Sequence, residues 1–232
     1  YYNQFIAELS KGELVNINVE DETMRDRVAE ELMQLGTDMS KIKFHFFRTN
    51  DAWCRDHGPA FVIKANQKAI VNWDYNAWGG KYPCECDNLI PKKIADELGL
   101  EMFHPHIVME GGSIDVNGKG TLLTTTSCLL NENRNPMLSQ AEIEEKLCSY
   151  YNVDNVIWLG DGIEGDDTDG HVDDITRFVN EDTVVTVVEE DSNDANYEPL
   201  KANINLLNKA RLQDGEQLNV VERPMPSAVV WD

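Results

Sequence analysis

Gly165-Asp166-Asp167-Thr168-Asp169-Gly170-His171-Val172-Asp173-Asp174 packs five carboxylates and one imidazole into ten residues, between the apolar runs Val156-Ile157-Trp158-Leu159 and Ile175-Thr176-Arg177-Phe178-Val179. Like charges so close repel, so such a cluster is either a solvated turn tip or a site that holds a cation or a proton. If His171-Val172-Asp173 opens the following strand, the period of two sets His171 and Asp173 side by side on one face and Val172 on the other. An imidazole beside a carboxylate is an acid/base pair that titrates near neutrality. Three other readings compete. A solvated acidic turn before a strand would look the same. A calcium loop centred on Gly170 places Asp167 and Asp169 correctly, but leaves Gly165 at the first ligand position and Thr176 at the last. A metallohydrolase H-x-D site needs more histidines, and none of the other four lies within about sixty residues.

Working outward, the same grammar recurs. Leu14-Val19 alternates as a strand, followed by helical spacing from Glu22 to Leu35 and a strand at Phe44-Phe47. A polar loop from Arg48 to Pro59 leads to paired strands, Phe61-Ile63 and Ala69-Trp73, and a helix from about Asn88 to Leu98. Ile107-Met109 reads as a short strand ending at Glu110-Gly111-Gly112-Ser113. A hairpin then turns at Asn117-Gly118, because Asn-Gly supplies the positive φ that such turns require. Ser139 with Glu142 forms a capping box for a helix to about Tyr151. Strands at Val156-Leu159, Val172-Val179 and Val184-Val188, a helix from about Asn196 to Leu212 and a strand near Leu218-Val221 follow. The helices are centred at about 29, 94, 145 and 204, an interval too long for a solenoid and suited to a ring of ββαβ-like modules. The charged motifs keep that rhythm. From Asp56 to Glu110 is 54 residues and from Glu110 to His171 is 61, so Asp56, Glu110, His171 and Asp173 fall at similar points of successive modules and should converge on one axis.

The chain has 232 residues, with 42 acidic against 20 basic side chains and a formal charge of −22. That balance argues against nucleic acid or an anionic membrane as partner and suits a cationic small molecule. Five scattered cysteines do not form a disulfide framework, and no apolar run is long enough to span a bilayer. The expected compartment is the cytoplasm. The first residue is Tyr1 and the last apolar run, Ala228-Val229-Val230-Trp231, reads as a strand being entered. We therefore expect a single domain over 1–232, truncated at both ends.

Three carboxylates and a histidine around a dry axis are costly unless a cation neutralises them. Trp53 and Trp78, indoles in polar loops, favour an organic cation over a hard metal. A planar guanidinium fits, since a carboxylate accepts two parallel N–H bonds from it. No cofactor is implied. Cys84-Glu85-Cys86 with His104 and His106 is only a weak zinc pattern, so no metal site is expected.

The motifs Asn50-Asp51-Ala52-Trp53-Cys54-Arg55-Asp56-His57-Gly58-Pro59, Asn76-Ala77-Trp78-Gly79-Gly80, Glu110-Gly111-Gly112-Ser113, the run from Cys128 to Pro136, and Asp167-Thr168-Asp169-Gly170-His171-Val172-Asp173 occur in that order. In this the chain resembles the guanidine-modifying α/β-propeller enzymes, most closely the agmatine deiminase and bacterial-type peptidylarginine deiminase family. The resemblance implies an α+β fold, an α/β propeller of pseudo-fivefold ββαβ-type modules that is incomplete in this chain. It implies that Asp56 and Asp173 grip a guanidinium, that Glu110 and His171 handle protons, that Trp53 lies along the substrate's carbon chain, and that Asp167 meets its distal end. The implied reaction is hydrolysis of agmatine to N-carbamoylputrescine and ammonia through a cysteine thiouronium. Peptidyl-arginine is the second substrate reading and free arginine or amidino transfer the third. A metal-binding acidic module without catalysis is the reading from another class. The family's nucleophilic cysteine lies in a glycine-rich C-terminal motif, and none of Cys54, Cys84, Cys86, Cys128 or Cys148 sits in such a context. We expect that module to lie outside this chain, which alone would turn nothing over. A homodimer is compatible with the sequence, which sets no oligomeric state.

Overall fold

Three times the chain forms an antiparallel hairpin, then a helix, then a strand returning parallel to the hairpin's second arm. The computed structural model describes residues 1–226. In the first repeat β3 (Ala60–Lys64) pairs with β4 (Gln67–Val71), the helix Ile90–Leu98 crosses over, and β5 (Glu101–Phe103) joins β4 in parallel. In the second, β6 (Ile114–Val116) and β7 (Thr121–Thr125) are followed by the helix Gln140–Tyr151 and by β8 (Asn155–Leu159). In the third, β9 (Thr176–Phe178) and β10 (Thr183–Val188) are followed by the helix Tyr197–Leu207 and by β11 (Asn219–Pro224). Ahead of these, β1 (Val15–Asn18), the helix Glu22–Gln34 and β2 (Ile42–His45) form a two-stranded parallel unit. The result is a mixed α+β fold with, among the described residues, four small sheets, none of them closed on itself.

Local chemistry explains the punctuation. Asn117 Oδ1 accepts from the N–H groups of Lys119, Gly120 and Thr121, and Gly118 takes a φ of 71°, so the expected hairpin forms. Ser139 and Glu142 make the reciprocal bonds of a capping box, as expected. All five residues of β7 are buried, and alternation sends neighbours to opposite sides: Leu122 joins a core with Ile114, Leu129, Ile143 and Leu147, while Leu123 joins one with Leu159, Val184, Leu200 and Leu207. Each such leucine contributes about 1.5–3 kcal/mol by burial, so the middle sheet ties the two cores together.

Some expectations need correction. His171-Val172-Asp173 does not open a strand: Val172–Asp174 is a single 3-10 turn, and β9 starts only at Thr176. Val172 and Ile175, three residues apart, both enter the second core, which a 3-10 turn permits and a strand does not. Ile107-Met109 contributes one bridge, Val108 to Asp74, rather than a strand. The helix expected to Leu212 ends at Leu207, and the helix Tyr2–Leu9 has no counterpart in the sequence reading. The strand expected at Ala228-Trp231 lies outside the described residues. Among the described residues, no helix is long and apolar enough to cross a membrane.

Candidate active site

Each repeat presents one helical turn just before its first strand: Cys54–His57 ahead of β3, Gly111–Ser113 ahead of β6 and Val172–Asp174 ahead of β9. These turns carry or adjoin Asp56, Glu110, His171 and Asp173, so equivalent positions of the three modules supply the charged groups. They are in close contact. Gly112 N–H donates to Asp56 Oδ1 at 2.9 Å, and a Cβ on Gly112 would stand 2.4 Å from His171 Nδ1 and 2.8 Å from Asp56 Oδ1. Only glycine allows this approach. His171 Nδ1 is 3.8 Å from Asp56 Oδ1 and 3.8 Å from Asp173 Oδ1. The expected pairing of His171 with Asp173 thus holds without the strand expected to produce it.

Trp78 bounds the other side. Its indole N–H donates to Asp56 Oδ2 at 3.1 Å, and its ring meets Tyr75 and Tyr82 edge-on at 5.7 and 5.8 Å. To reach there Trp78 adopts φ 54° and ψ 45°, a left-handed conformation that a bulky residue holds only when its surroundings impose it. Gly79 follows at φ 92°, against Asn133 and Arg134, where a Cβ would collide with both side chains. Trp78 is buried, whereas Trp53 is 60% exposed at the rim.

These groups line a cavity of about 500 Å³ with Arg55, Tyr82 and Thr168, and the aspartates at 51, 56, 167, 173 and 174 against one arginine make it strongly electronegative. Burial, then repulsion from Asp174 and Asp56, pushes the Asp173 carboxyl up to about 6. Asp174 is raised by burial and by the charges of Asp166 and Asp56. Burial outweighs the neighbouring aspartates at His171 and lowers its pKa, so the imidazole is neutral. Its Nε2 is buried without a hydrogen-bond partner. At the mouth, Tyr82 Oη donates to Asp167 Oδ2 at 2.6 Å, and Lys81 Nζ lies 3.7 Å from Asp167 Oδ1.

Glu110 departs from the expected ring of lining residues. It is fully buried and does not line the cavity. Its Oε1 accepts from Arg134 Nε at 2.7 Å, and Arg134 also donates to Asp169 Oδ2 and to Thr168 O, each at 2.9 Å. Burial raises the Glu110 pKa against the opposing pull of Arg134. Burial likewise disfavours ionised Asp169, but hydrogen bonds from Lys81, Asn133 and Arg134 prevail and lower it to about 2. Arg134 is the buried partner that the expected set of site residues lacks; its signal in the sequence is the polar run Asn131-Glu132-Asn133-Arg134-Asn135 directly after apolar Cys128-Leu129-Leu130, within the motif that ends at Pro136.

Among the described residues, two groups of side chains are close enough to share a metal ion: Glu110, Cys128 and His171, and Asp74, His104 and His106. The first is a poor fit. Glu110 is already neutralised by Arg134, and burial pushes the Cys128 thiol well up, so it stays protonated. Cys84 and Cys86 do not join His104 and His106. None of the five cysteines lines the cavity.

The arrangement can bind a flat cation, orient it by charge and move a proton through a buried imidazole. A family model described as Porphyromonas-type peptidyl-arginine deiminase matches residues 1–232. A Legionella pneumophila protein is 45% identical over 179 residues, 75% of this chain and 51% of its own. The agmatine deiminase of Ectopseudomonas mendocina is 41% identical over 199 residues, 83% of this chain and 54% of its own. Among solved structures, the agmatine deiminase of Enterococcus faecalis matches with a TM-score of 0.88 at 36% identity, over 99% of this chain and 63% of that one. A C. jejuni agmatine deiminase with substrate bound gives 0.87 at 32% identity, over 100% and 66%. The chain spans about half the length of the curated relatives it matches. With the family model covering every residue and the repeated modules shared with solved relatives, the chain belongs to the Porphyromonas-type peptidyl-arginine deiminase family.

Proposed function

We propose that the protein containing this chain hydrolyses the guanidinium of agmatine to N-carbamoylputrescine and ammonia. The observation that carries this reading is the meeting of Asp56, His171 and Asp173, from two different modules, in one electronegative cavity. Asp56 and Asp173 clamp the guanidinium by charge-assisted hydrogen bonds and fix its plane for attack. Trp78 and the Gly112 N–H hold Asp56 in position. Trp53 covers the carbon chain at the rim. Asp167, with Asp51, faces the distal ammonium, and its charge is partly engaged by Lys81 and Tyr82.

In the first half-reaction a cysteine thiol gives its proton to neutral His171 and its sulfur attacks the guanidinium carbon. His171 passes that proton to one amino nitrogen, the C–N bond breaks, and ammonia leaves a cationic S-alkylthiouronium. In the second, His171 draws a proton from water as the hydroxide adds to the same carbon; the C–S bond breaks, restoring the thiol and releasing the ureido product and one proton. Glu110, tied to Arg134, lies behind His171 and steadies its charged state during transfer. Since none of the five cysteines lines the cavity, we assign the attacking thiol to a part of the protein outside these 232 residues; the matched segment covers only 54% of the Ectopseudomonas mendocina relative. We read the three hairpin–helix–strand modules and the β1–β2 unit as consecutive parts of a five-module propeller, on the strength of their repeated pattern, and the compartment as the cytoplasm.

The acidic mouth disfavours the carboxylate of free arginine. Peptidyl-arginine lacks that carboxylate and is the second reading, favoured by the family model's description. The test is an assay of the intact protein for ureido product and ammonia with agmatine and with an arginine-containing peptide. His171→Ala should abolish product while circular dichroism and melting stay those of the wild type. Normal product formation by that variant refutes the assignment.

A further inference from the structure

Asp74 follows β4, and His104-Pro105-His106 follows β5. None of them lines the cavity. Yet one carboxylate oxygen and one nitrogen from each ring all lie within 4.8 Å of one another. Hydrogen bonds to the backbone hold the two segments that carry the donors side by side. Asp74 N–H donates to Ile107 O and Met109 N–H donates to Asp74 O, both at 3.0 Å. Lys146 Nζ donates to Pro105 O at 2.8 Å, and the proline ring stiffens the link between the two histidines. His104 Nε2 stands 2.7 Å from Asp74 Oδ1. His106 takes a φ of 59°, and its ring centroid comes to 4.0 Å from that of His104.

An ion pair between Asp74 and His104 would account for those two residues and leave His106 unexplained. A histidine held at positive φ, with its ring brought against a second imidazole, marks a position whose geometry the surroundings impose. We propose that Asp74, His104 and His106 bind a divalent transition-metal ion, with zinc the representative probe. Two imidazoles and one carboxylate are the donor set of zinc, nickel or cobalt rather than of calcium or magnesium, which take mostly oxygen. Donor bonds of about 2.0–2.2 Å place tetrahedral ligands about 3.3 Å apart, between the 2.7 Å that separates His104 Nε2 from Asp74 Oδ1 and the 4.8 Å within which all three donor atoms lie. His106 is exposed and the other two are half-buried, which leaves a fourth position for water. The ion cross-links the segment that runs on to Trp78 with the segment that runs on to Glu110. It therefore ties together two supports of the active cavity without touching substrate.

The intact protein, stripped with chelator, is titrated with Zn2+ by calorimetry and by thermal melting. The wild type binds one equivalent at this site and melts higher with zinc; Asp74→Asn and His106→Gly bind about tenfold more weakly or less. His106→Gly also answers the folding question, because glycine suits the positive φ and this variant should melt at or above the wild type in chelator. Cobalt substitution should give an absorption spectrum without a thiolate charge-transfer band. The proposal is overturned if zinc fails to bind the wild type, if zinc binds wild type and His106→Gly equally, or if the cobalt spectrum shows thiolate ligation.

Discussion

Replacing Trp78 by Phe removes one hydrogen bond from the wall of the cavity and leaves the aromatic packing largely in place. Asp56 Oδ2 then loses its donor at 3.1 Å, while Oδ1 keeps the Gly112 N–H. Hydrogen bonds to charged groups contribute about 1.5–3 kcal/mol, so the guanidinium clamp should weaken by about 10- to 150-fold at 1.4 kcal/mol per factor of ten. On the proposed function Asp56 grips substrate in both ground and transition states, so the loss should fall mainly on KM, with kcat less affected. The indole's lost area costs global stability about 1–2 kcal/mol, which melting measures separately. The assay is ammonia release by the intact protein over a range of agmatine concentrations. A Trp78→Phe variant with kcat/KM within about threefold of the wild type would refute the claim that the indole N–H positions Asp56.

Other outcomes follow from the same geometry. Arg134→Met leaves buried Glu110 without its cation and should destabilise the fold by about 3–5 kcal/mol, read from urea denaturation. Asp173, raised from 3.8 to about 6 by burial, then Asp174 and Asp56, contributes stability that is complete below pH 3.8 and lost as pH rises through about 6. Asp173→Asn should therefore gain stability relative to the wild type between pH 4 and pH 7, by about 3 kcal/mol at most; a pH-independent difference would contradict the assigned burial. Because a cationic substrate needs the ionised carboxylate, kcat/KM of the wild type should fall as pH drops below about 6. Cys54→Ala should leave turnover within about twofold of the wild type, since the Cys54 side chain is exposed and does not line the cavity.

Much of this was legible because the modules repeat. Hydrophobic periodicity locates the hairpins and crossover helices, and their spacing puts Asp56, Glu110 and His171 at equivalent points, where three helical turns meet in the structure. The local shape of the acidic stretch was not legible. Burying Val172 suits a strand as well as a turn, and only the packing of Ile175 into the same core decides between them. Arg134 was hidden for another reason. Its partners, Glu110 and Asp169, lie 24 and 35 residues away, so no local pattern announces a buried ion pair. Trp78 was recognised as part of the site, but a sequence cannot tell an indole that covers a substrate from one that donates to a carboxylate, and here it does the second. Spacing gives Glu110 its module position and not its side chain's direction, so the sequence alone sets it among the lining residues while the structure buries it behind them.

The most direct measurement is a crystal structure of the intact protein with agmatine, obtained with a variant that binds without turnover. The account predicts guanidinium nitrogens within hydrogen-bond distance of both Asp56 and Asp173, with the central carbon beside His171. Ordered agmatine whose guanidinium lies away from these carboxylates would contradict it.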